Sequence, residues 1–243
     1  SGANGGALPG GIGWYRKHLN LNDNDMSSRY VLHFDGAYMN TSVYVNGQLV
    51  GVRPYGFISF SYDITPYLKK QGDNVVAVKV DNSKQPNSRW YTGCGIYRHV
   101  YLMKSSDIRI EEWGVQALTE VKKGKGKVSL NTKIENPSGR SRRVIVHQTL
   151  WNKAHQMVSK ASKACQVEAK GATISQLLNV NKPQLWSLES PNLYTVTTEI
   201  EENGRILDRD TISIGLRNIA FDVKKGFFLN GKNIKINGVC LHG

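Results

Sequence analysis

The sequence predicts an all-β protein built from two successive sandwiches, and three observations carry this prediction. Hydrophobic and polar residues alternate with a period of two along almost the whole chain, as in strands with one buried face. Turn pairs such as Asn46-Gly47 and Asn203-Gly204 separate the alternating segments. No stretch shows a convincing helical period. Short strands at this spacing are typical of jelly rolls and β-sandwiches.

The first block of strands occupies residues 1–105 and predicts a jelly-roll domain. Asn46-Gly47 is the strongest short hairpin signal in it, and Pro66 lies near a short turn of helix. Asn74–Val80 is rich in β-branched residues, which suit the core of a sandwich. The strands predicted here are Tyr30–Phe34, Ser42–Val45, Gln48–Val52, Phe57–Tyr62, Asn74–Val80 and Tyr97–Leu102.

The second block occupies residues 106–218 and predicts an immunoglobulin-like β-sandwich, with a boundary near Ser105–Asp107. Seven or eight short strands over about 110 residues fit that fold. No cysteine pair is placed to join its two sheets, so an antibody-type domain is not expected. The predicted strands are Ile108–Ile110, Gly114–Leu118, Lys127–Ile134, Arg143–Leu150, Gln156–Ala161, Thr173–Val180, Tyr194–Ile200 and Asp208–Ile214.

The last block, residues 219–243, differs from both sandwiches. Gly226–Lys232 reads as a hairpin, and Ile234–His242 then alternates as one further strand. A lone strand that contains a glycine and has no following partner is an unusual way to end a domain. We therefore expect this strand to be the first of a larger domain that continues beyond residue 243.

The net charge of +13 raises the hypothesis of a nucleic-acid partner. The excess is spread along the chain, however, with +5 in residues 1–105, +5 in 106–218 and +3 in 219–243. Its densest clusters, Lys122–Lys127 and Arg140–Arg143, are predicted to be solvated hairpin tips. We expect no nucleic-acid partner, and no apolar run approaches the roughly 20 residues that a membrane helix needs.

Three cysteines, Cys94, Cys165 and Cys240, are widely separated and form no Cys-x-x-Cys pair. This spacing argues against a disulfide framework and against a structural zinc site. The three thiols are expected to be free and buried. No phosphate-binding loop and no metal-ligand spacing are present, so we expect neither a metal site nor a cofactor in this chain.

Four segments together resemble the family 2 glycoside hydrolases, and β-galactosidases in particular. Each is weak alone, but their order and spacing cover nearly the whole chain. The first is Gly13–Lys17, the second is Phe34–Ala37 leading to Val43–Gly47, and the third is Val80–Ser83 followed by Ser88–Arg98, which contains Arg89-Trp90-Tyr91. The fourth runs from Leu185–Tyr194 through Gly215-Leu216-Arg217 to Leu229–His242.

The resemblance implies a galactose-binding-like jelly roll, an immunoglobulin-like sandwich and then a catalytic (β/α)₈ barrel. Residues 1–105 and 106–218 would be the first two domains, and residues 219–243 would hold only the first barrel strand. A closed barrel takes at least about 200 residues, and 25 remain after residue 218. The barrel would belong to the missing part of the parent protein.

The resemblance also implies a substrate-binding set on the loop from Asp81 to Gly95. Arg89 would offer a fork of hydrogen-bond donors beside the rings of Trp90 and Tyr91, a combination that suits sugars. Asp81 and Asn82 begin the loop, and His242 matches a family histidine near the same pocket. Two alternatives stay open: Trp90 or Tyr91 could plug the end of the jelly roll, and Arg89 could pair with Asp81.

No catalytic residue is transferred from the family. A retaining glycosidase needs two carboxyl groups about 5–5.5 Å apart. Residues 1–105 contain no glutamate, and residues 219–243 contain Asp222 as their one acid. The remaining acids, such as Glu111-Glu112 and Glu199–Glu202, fall on predicted sandwich strands and hairpin rims. The chain alone is expected to be inactive.

The expected partners are therefore a galactoside or related glycoside in the full-length parent, and the parent's own barrel. A homo-oligomer stays open, and the parent is expected to be a periplasmic or secreted bacterial protein. The rival hypothesis is a free-standing carbohydrate-binding or adhesion protein made of two sandwiches. A DNA-binding protein is a third hypothesis, which rests on charge alone.

Overall fold

The computed structural model describes residues 10–22, 28–69, 71–84 and 93–240. The chain divides into two compact units, Ser1–Ser105 with Val239–Gly243, and Ser106–Gly238. The all-β prediction is confirmed, since the described residues form nineteen strands and one short 3₁₀ helix, Thr65–Tyr67. None of their helices is long and apolar enough to cross a lipid bilayer.

Nine strands of the described residues belong to the first unit. They are β1 (Ile12–Asn22), β2 (Arg29–Phe34), β3 (Ala37–Tyr38), β4 (Thr41–Val45), β5 (Gln48–Arg53), β6 (Phe60–Asp63), β7 (Gln71–Asp81), β8 (Gly95–Ile96) and β9 (Val100–Ser105). One sheet has the order β1-β7-β4-β5 and another the order β6-β2-β9, while β3 pairs with β8. All of the paired strands are antiparallel.

The core of this unit follows from the alternation of its strands. In β7 every second residue from Asn74 to Val80 is buried, and Phe34 of β2 stacks on Phe60 of β6 with ring centroids 4.7 Å apart. Asn46 and Gly47 both have positive φ, 51° and 81°, as a two-residue hairpin between β4 and β5 requires. The hairpin signal in the sequence therefore produced the predicted turn.

The second unit contains seven long strands that form two facing sheets. They are β10 (Arg109–Lys122), β11 (Lys125–Glu135), β12 (Arg142–Trp151), β13 (Met157–Val167), β14 (Ala172–Asn181), β15 (Tyr194–Glu202) and β16 (Arg205–Ile214). The sheet orders are β10-β11-β14 and β13-β12-β15-β16. Fully buried side chains such as Leu130, Leu150 and Ile200 fill the space between the sheets, where they make one apolar cluster.

A small three-stranded sheet follows, made of β17 (Ile219–Asp222), β18 (Gly226–Leu229) and β19 (Lys232–Asn233). It contains the predicted hairpin at residues 226–232. Residues 234–240 carry no strand, although their alternation predicted one. A strand is held by a ladder of hydrogen bonds to a neighbouring strand. Among the described residues, Ile234 donates one such bond, to the carbonyl of Phe227 at 2.9 Å, and no strand pairs with the residues that follow it.

Three further differences from the predicted strands have local causes. The strand predicted over Phe57–Tyr62 starts only at Phe60, because β2 ends opposite that residue at Phe34. The strand predicted from Tyr97 starts at Val100 for the same reason. Ile108–Ile110 and Gly114–Leu118 fall within or beside one strand, β10, whose register is interrupted between Ile110 and Val115.

Candidate functional site

The end of β7 holds Asp81 and Asn82, two residues of the predicted substrate-binding set. Asp81 lies opposite Ile12 of β1, and its backbone N–H donates to the carbonyl of Met39 at 2.9 Å. The side-chain amide of Asn40 donates to the Asp81 carbonyl at 3.1 Å. The backbone of Asp81 is thus held from both sides where the chain leaves the sheet.

The Asp81 carboxylate is anchored by its own neighbours. Its Oδ1 accepts hydrogen bonds from the backbone N–H of Ser83 at 3.1 Å and from the Ser83 hydroxyl at 2.6 Å. Its Oδ2 lies 3.2 Å from Nζ of Lys79. The bonds from Ser83, and then the contact with Lys79, hold the pKa of Asp81 below its usual range. Asp81 therefore stays ionised at neutral pH, where it can accept hydrogen bonds but cannot serve as a general acid.

Asn82 connects the two ends of the loop instead of facing solvent. Only 2% of the residue is exposed, and its Nδ2 donates to Sγ of Cys94 at 2.8 Å. Its backbone N–H donates to the carbonyl of Gly11 at 2.9 Å. The buried Oδ1 accepts no hydrogen bond from the described residues. An unmatched buried oxygen of this kind costs about 1–3 kcal/mol, so the position suits a donor from the loop or a ligand.

The return of the loop is fixed at Gly95 and Ile96, which pair with Tyr38 and Ala37. The hydroxyl of Tyr15 accepts a hydrogen bond from the Ile96 N–H at 3.3 Å. Gly95 has a φ of 90°, and a Cβ there would lie 2.1 Å from the Tyr15 hydroxyl oxygen. Only glycine fits this position.

Sequence reasoning missed the roles of Tyr15 and Cys94 at this loop. Tyr15 lies inside the Gly13–Lys17 segment that carried the family resemblance, and that segment was the available signal. Cys94 and Cys240 are exposed and Cys165 is half-buried, so the expectation of buried thiols is wrong. The three thiols are free in the structure.

The other residues of the predicted set, Arg89, Trp90, Tyr91 and His242, lie outside the described residues. The two alternatives for this loop, a plug formed by Trp90 or Tyr91 and a pair between Arg89 and Asp81, therefore also lie outside the described residues. Within the described chain, the cation beside Asp81 is Lys79.

Several carboxylates elsewhere in the described residues have basic partners, whereas Asp208 accepts a hydrogen bond from the Ile110 N–H and has a pKa raised by burial. On the outer sheet of the second unit, Glu199 pairs with Arg209, Glu201 with His147, and Glu202 with Arg142. No group of three or more His, Cys, Asp or Glu side chains able to hold a metal ion occurs in the part of the chain that the structure describes.

Arg142 changes the interpretation of the Arg140–Arg143 cluster. Its Nη1 donates to Oδ2 of Asp107 at 2.8 Å and its Nε to Oε1 of Glu202 at 2.8 Å. These contacts, with Glu202 the larger cause, raise the pKa of Arg142, and Arg142 in turn lowers the pKa of Glu202. The prediction of a uniformly solvated basic tip is wrong at this residue.

Family comparison decides what the two units are. Residues 8–106 match the family model described as "Glycosyl hydrolases family 2, sugar binding domain", and residues 108–217 match "Glycosyl hydrolases family 2". The chain belongs to glycosyl hydrolase family 2. Its first unit contains the sugar-binding jelly roll of this family, and its second unit contains the family's immunoglobulin-like sandwich.

Curated relatives agree with this family. The chain is 46% identical over 244 residues to "Beta-galactosidase BoGH2A" of Bacteroides ovatus, a match that covers 100% of this chain and 29% of the relative. It is 38% identical over 242 residues to a "Putative beta-glucuronidase" of Formosa agariphila, covering 99% of this chain and 23% of that protein.

Solved structures of family 2 members have the same fold as this chain. A glycosyl hydrolase family 2 member from Bacteroides cellulosilyticus superposes with a TM-score of 0.91 at 35% identity, over 96% of this chain and 30% of that one. A β-glycosidase from Bacteroides vulgatus gives 0.87 at 37% identity, over 98% and 30%. The chain therefore spans less than a third of the length of these relatives, as their N-terminal portion.

Proposed function

We propose that this chain is the non-catalytic N-terminal part of a retaining β-galactosidase, in which it shapes the substrate pocket and scaffolds the barrel. The observation that carries the proposal is the match of both units, in order, to the two family 2 domains over residues 8–106 and 108–217. The higher identity to a β-galactosidase than to a putative β-glucuronidase, 46% against 38%, supports a galactoside as the substrate.

The substrate contacts of the proposal come from the loop that follows β7. Asp81 offers an anchored, ionised acceptor for a sugar hydroxyl, and buried Asn82 holds the loop through Cys94. Arg89, Trp90 and Tyr91 would meet the sugar from the loop itself, and His242 from the first strand of the barrel. The segment 219–243 is proposed as the start of that barrel.

The chemistry of bond cleavage is assigned to the rest of the parent protein. Retention requires one carboxyl group as the nucleophile and a second, with a raised pKa, as the acid. Asp81 is the one acid at the proposed site, and its pKa is lowered instead of raised. We therefore propose no catalytic residue and no cofactor within this chain.

The proposal is tested in the full-length parent by Arg89→Ala. Loss of a charge-assisted hydrogen bond to the substrate should lower kcat/KM on a nitrophenyl β-galactoside by roughly ten- to a hundred-fold, with an unchanged melting temperature. Arg143→Ala, at an exposed arginine of the sandwich, is the matched control and should leave kcat/KM unchanged. Unchanged kinetics for Arg89→Ala, with a lowered melting temperature, would show that Arg89 is structural.

A further inference from the structure

The outer face of the sheet β1-β7-β4-β5 carries a pair of aromatic rings that the proposed substrate pocket does not use. Trp14 of β1 is 60% exposed, and its ring centroid lies 5.8 Å from that of Tyr44 in β4, with 33° between the ring planes. An exposed tryptophan beside a second ring makes a patch, whereas a single exposed apolar residue would need no explanation.

The strand register makes a groove beside these two rings. Ala77 of β7 lies between Arg16 of β1 and Tyr44 of β4, and Val75 follows at the next outward position. Because both β7 residues are short, the larger side chains of the neighbouring strands stand above them. The resulting groove has a volume of about 460 Å³ and includes Trp14 in its lining.

Two basic side chains near this groove already have an acidic partner. His18 Nδ1 lies 2.7 Å from Oδ2 of Asp73, and Lys79 pairs with Asp81. Arg16 lines the groove and is exposed, and its guanidinium has no anionic or hydrogen-bonding partner among residues 10–22, 28–69, 71–84 and 93–240. As far as the described residues go, the groove therefore presents the guanidinium of Arg16, a fork of donors without an anionic partner, beside two aromatic rings.

We propose that this groove, the Trp14–Tyr44 platform, is a second glycan-binding site and that its ligand is an oligosaccharide that carries carboxylate groups. The C–H face of a pyranose packs on an aromatic ring in the way that other apolar surfaces do, while its hydroxyls remain at the edge. A planar guanidinium matches a carboxylate with two parallel hydrogen bonds. The rings of Trp14 and Tyr44 and the guanidinium of Arg16 together therefore favour an acidic sugar chain over a neutral one.

The platform is separate from the loop that begins at Asp81. Ile12 lies opposite Asp81, and Arg16 lies four residues farther along β1. At about 3.4 Å per residue in an antiparallel strand, Arg16 is roughly 14 Å and Trp14 roughly 7 Å from Ile12 along β1. A bound chain on the platform would add affinity for a polymer without contacting the reacting bond.

The test is isothermal titration calorimetry of the 243-residue chain with two matched probes. One probe is a tetrasaccharide of β-1,4-linked glucuronic acid, and the other is cellotetraose, which differs only in having hydroxymethyl groups in place of the carboxylates. We expect the acidic probe to bind roughly ten-fold or more tightly than the neutral one, with a difference that shrinks at high salt.

Two variants identify the surface. Trp14→Ala should weaken the binding of both probes by about ten-fold. Arg16→Gln, at an exposed side chain, should leave the fold intact and abolish the preference for the acidic probe. Trp113→Ala, at a tryptophan that is 79% exposed in the second unit, is the control and should bind as the unchanged chain does.

Three results would overturn the proposal. One is the absence of binding of the acidic probe at millimolar concentration. Another is binding that neither Trp14→Ala nor Arg16→Gln alters. The last is a self-associated chain in sedimentation experiments that Trp14→Ala converts to a monomer, because the face would then be an interface between two copies. Because no hydrolysis is measured, failure here leaves the proposed β-galactosidase untouched.

Discussion

The second unit encloses its apolar core between two facing sheets and pairs several surface carboxylates with basic side chains, whereas the jelly roll of the first unit has a groove bordered by partly exposed apolar side chains. In the sandwich, Leu150 and Ile200 are fully buried, and Glu202 is neutralised by Arg142. In the jelly roll, Val100 and Leu102 of β9 are each 39% exposed, and they border a groove of about 360 Å³ that also reaches β1. This difference is consistent with the proposed roles of the sandwich as a scaffold and of the jelly roll as the sugar-binding part.

The largest effect on stability is expected in the closed core of the sandwich. Leu150→Ala removes a fully buried side chain and should lower the free energy of unfolding by about 2–5 kcal/mol. Urea denaturation followed by circular dichroism measures the change. Leu118→Ala, at a leucine of the same unit that is 72% exposed, should stay within about 0.5 kcal/mol. Equal effects of the two changes would mean that the sandwich core is not closed.

A smaller effect is expected at the ion-pair group of the sandwich. Arg142→Ala leaves Glu202 and Asp107 half-buried without their cation, which should cost about 1–3 kcal/mol. Arg143→Ala is the matched control, since Arg143 is exposed beside it, and should have little effect. Equal losses for the two variants would contradict the paired role of Arg142.

The same pair predicts a dependence of stability on pH. Arg142 lowers the pKa of Glu202 in the folded state. The stability that Glu202 contributes is therefore complete above the pKa of an unfolded glutamate, and it is lost as the pH falls through the lower folded value. In Arg142→Ala this acid-dependent loss should be smaller. Urea midpoints measured from pH 7 down to pH 3 check the prediction, and parallel curves for the two proteins would contradict it.

The smallest expected effect is a difference in reactivity between the thiols of the two units. Cys94 and Cys240 are exposed, whereas burial raises the pKa of the Cys165 thiol. In native protein an aromatic disulfide reagent should modify two thiols rapidly and Cys165 roughly several-fold more slowly, because the thiolate is the reactive form. In denaturant it should find three thiols per chain. Finding one would reveal an intramolecular disulfide.

The fold could be predicted from the sequence where local patterns determine it. It was harder to predict where the pairing of distant residues determines it. Asn46-Gly47 and the alternation of Asn74–Val80 gave their turn and strand directly, because both depend on neighbours in sequence. β1 was not predicted as a strand, since as an edge strand it buries little and its alternation is weak. The sequence predicts two strands where the structure has one interrupted strand, β10. At the interruption Trp113 adopts a positive φ, which a tryptophan disfavours and which its residue type therefore does not indicate.

The candidate site was predictable only in part for the same reason. The acceptor role of Asp81 follows from its neighbour Ser83 and is local. The burial of Asn82 and its bond to Cys94 depend on how the loop returns to β3, which no short pattern encodes. The pairing of Arg142 with Glu202, sixty positions apart, was hidden within an apparently solvated basic cluster.

We propose that this chain positions a sugar without cleaving it, and one assay tests this proposal most directly. The purified 243-residue chain is incubated with a nitrophenyl β-galactoside beside the full-length parent. We expect turnover by the parent and none by the chain, because Asp81 is the one carboxylate at the proposed site and a retaining mechanism needs two. Turnover by the chain that survives repurification and is abolished by Asp81→Asn would contradict the account.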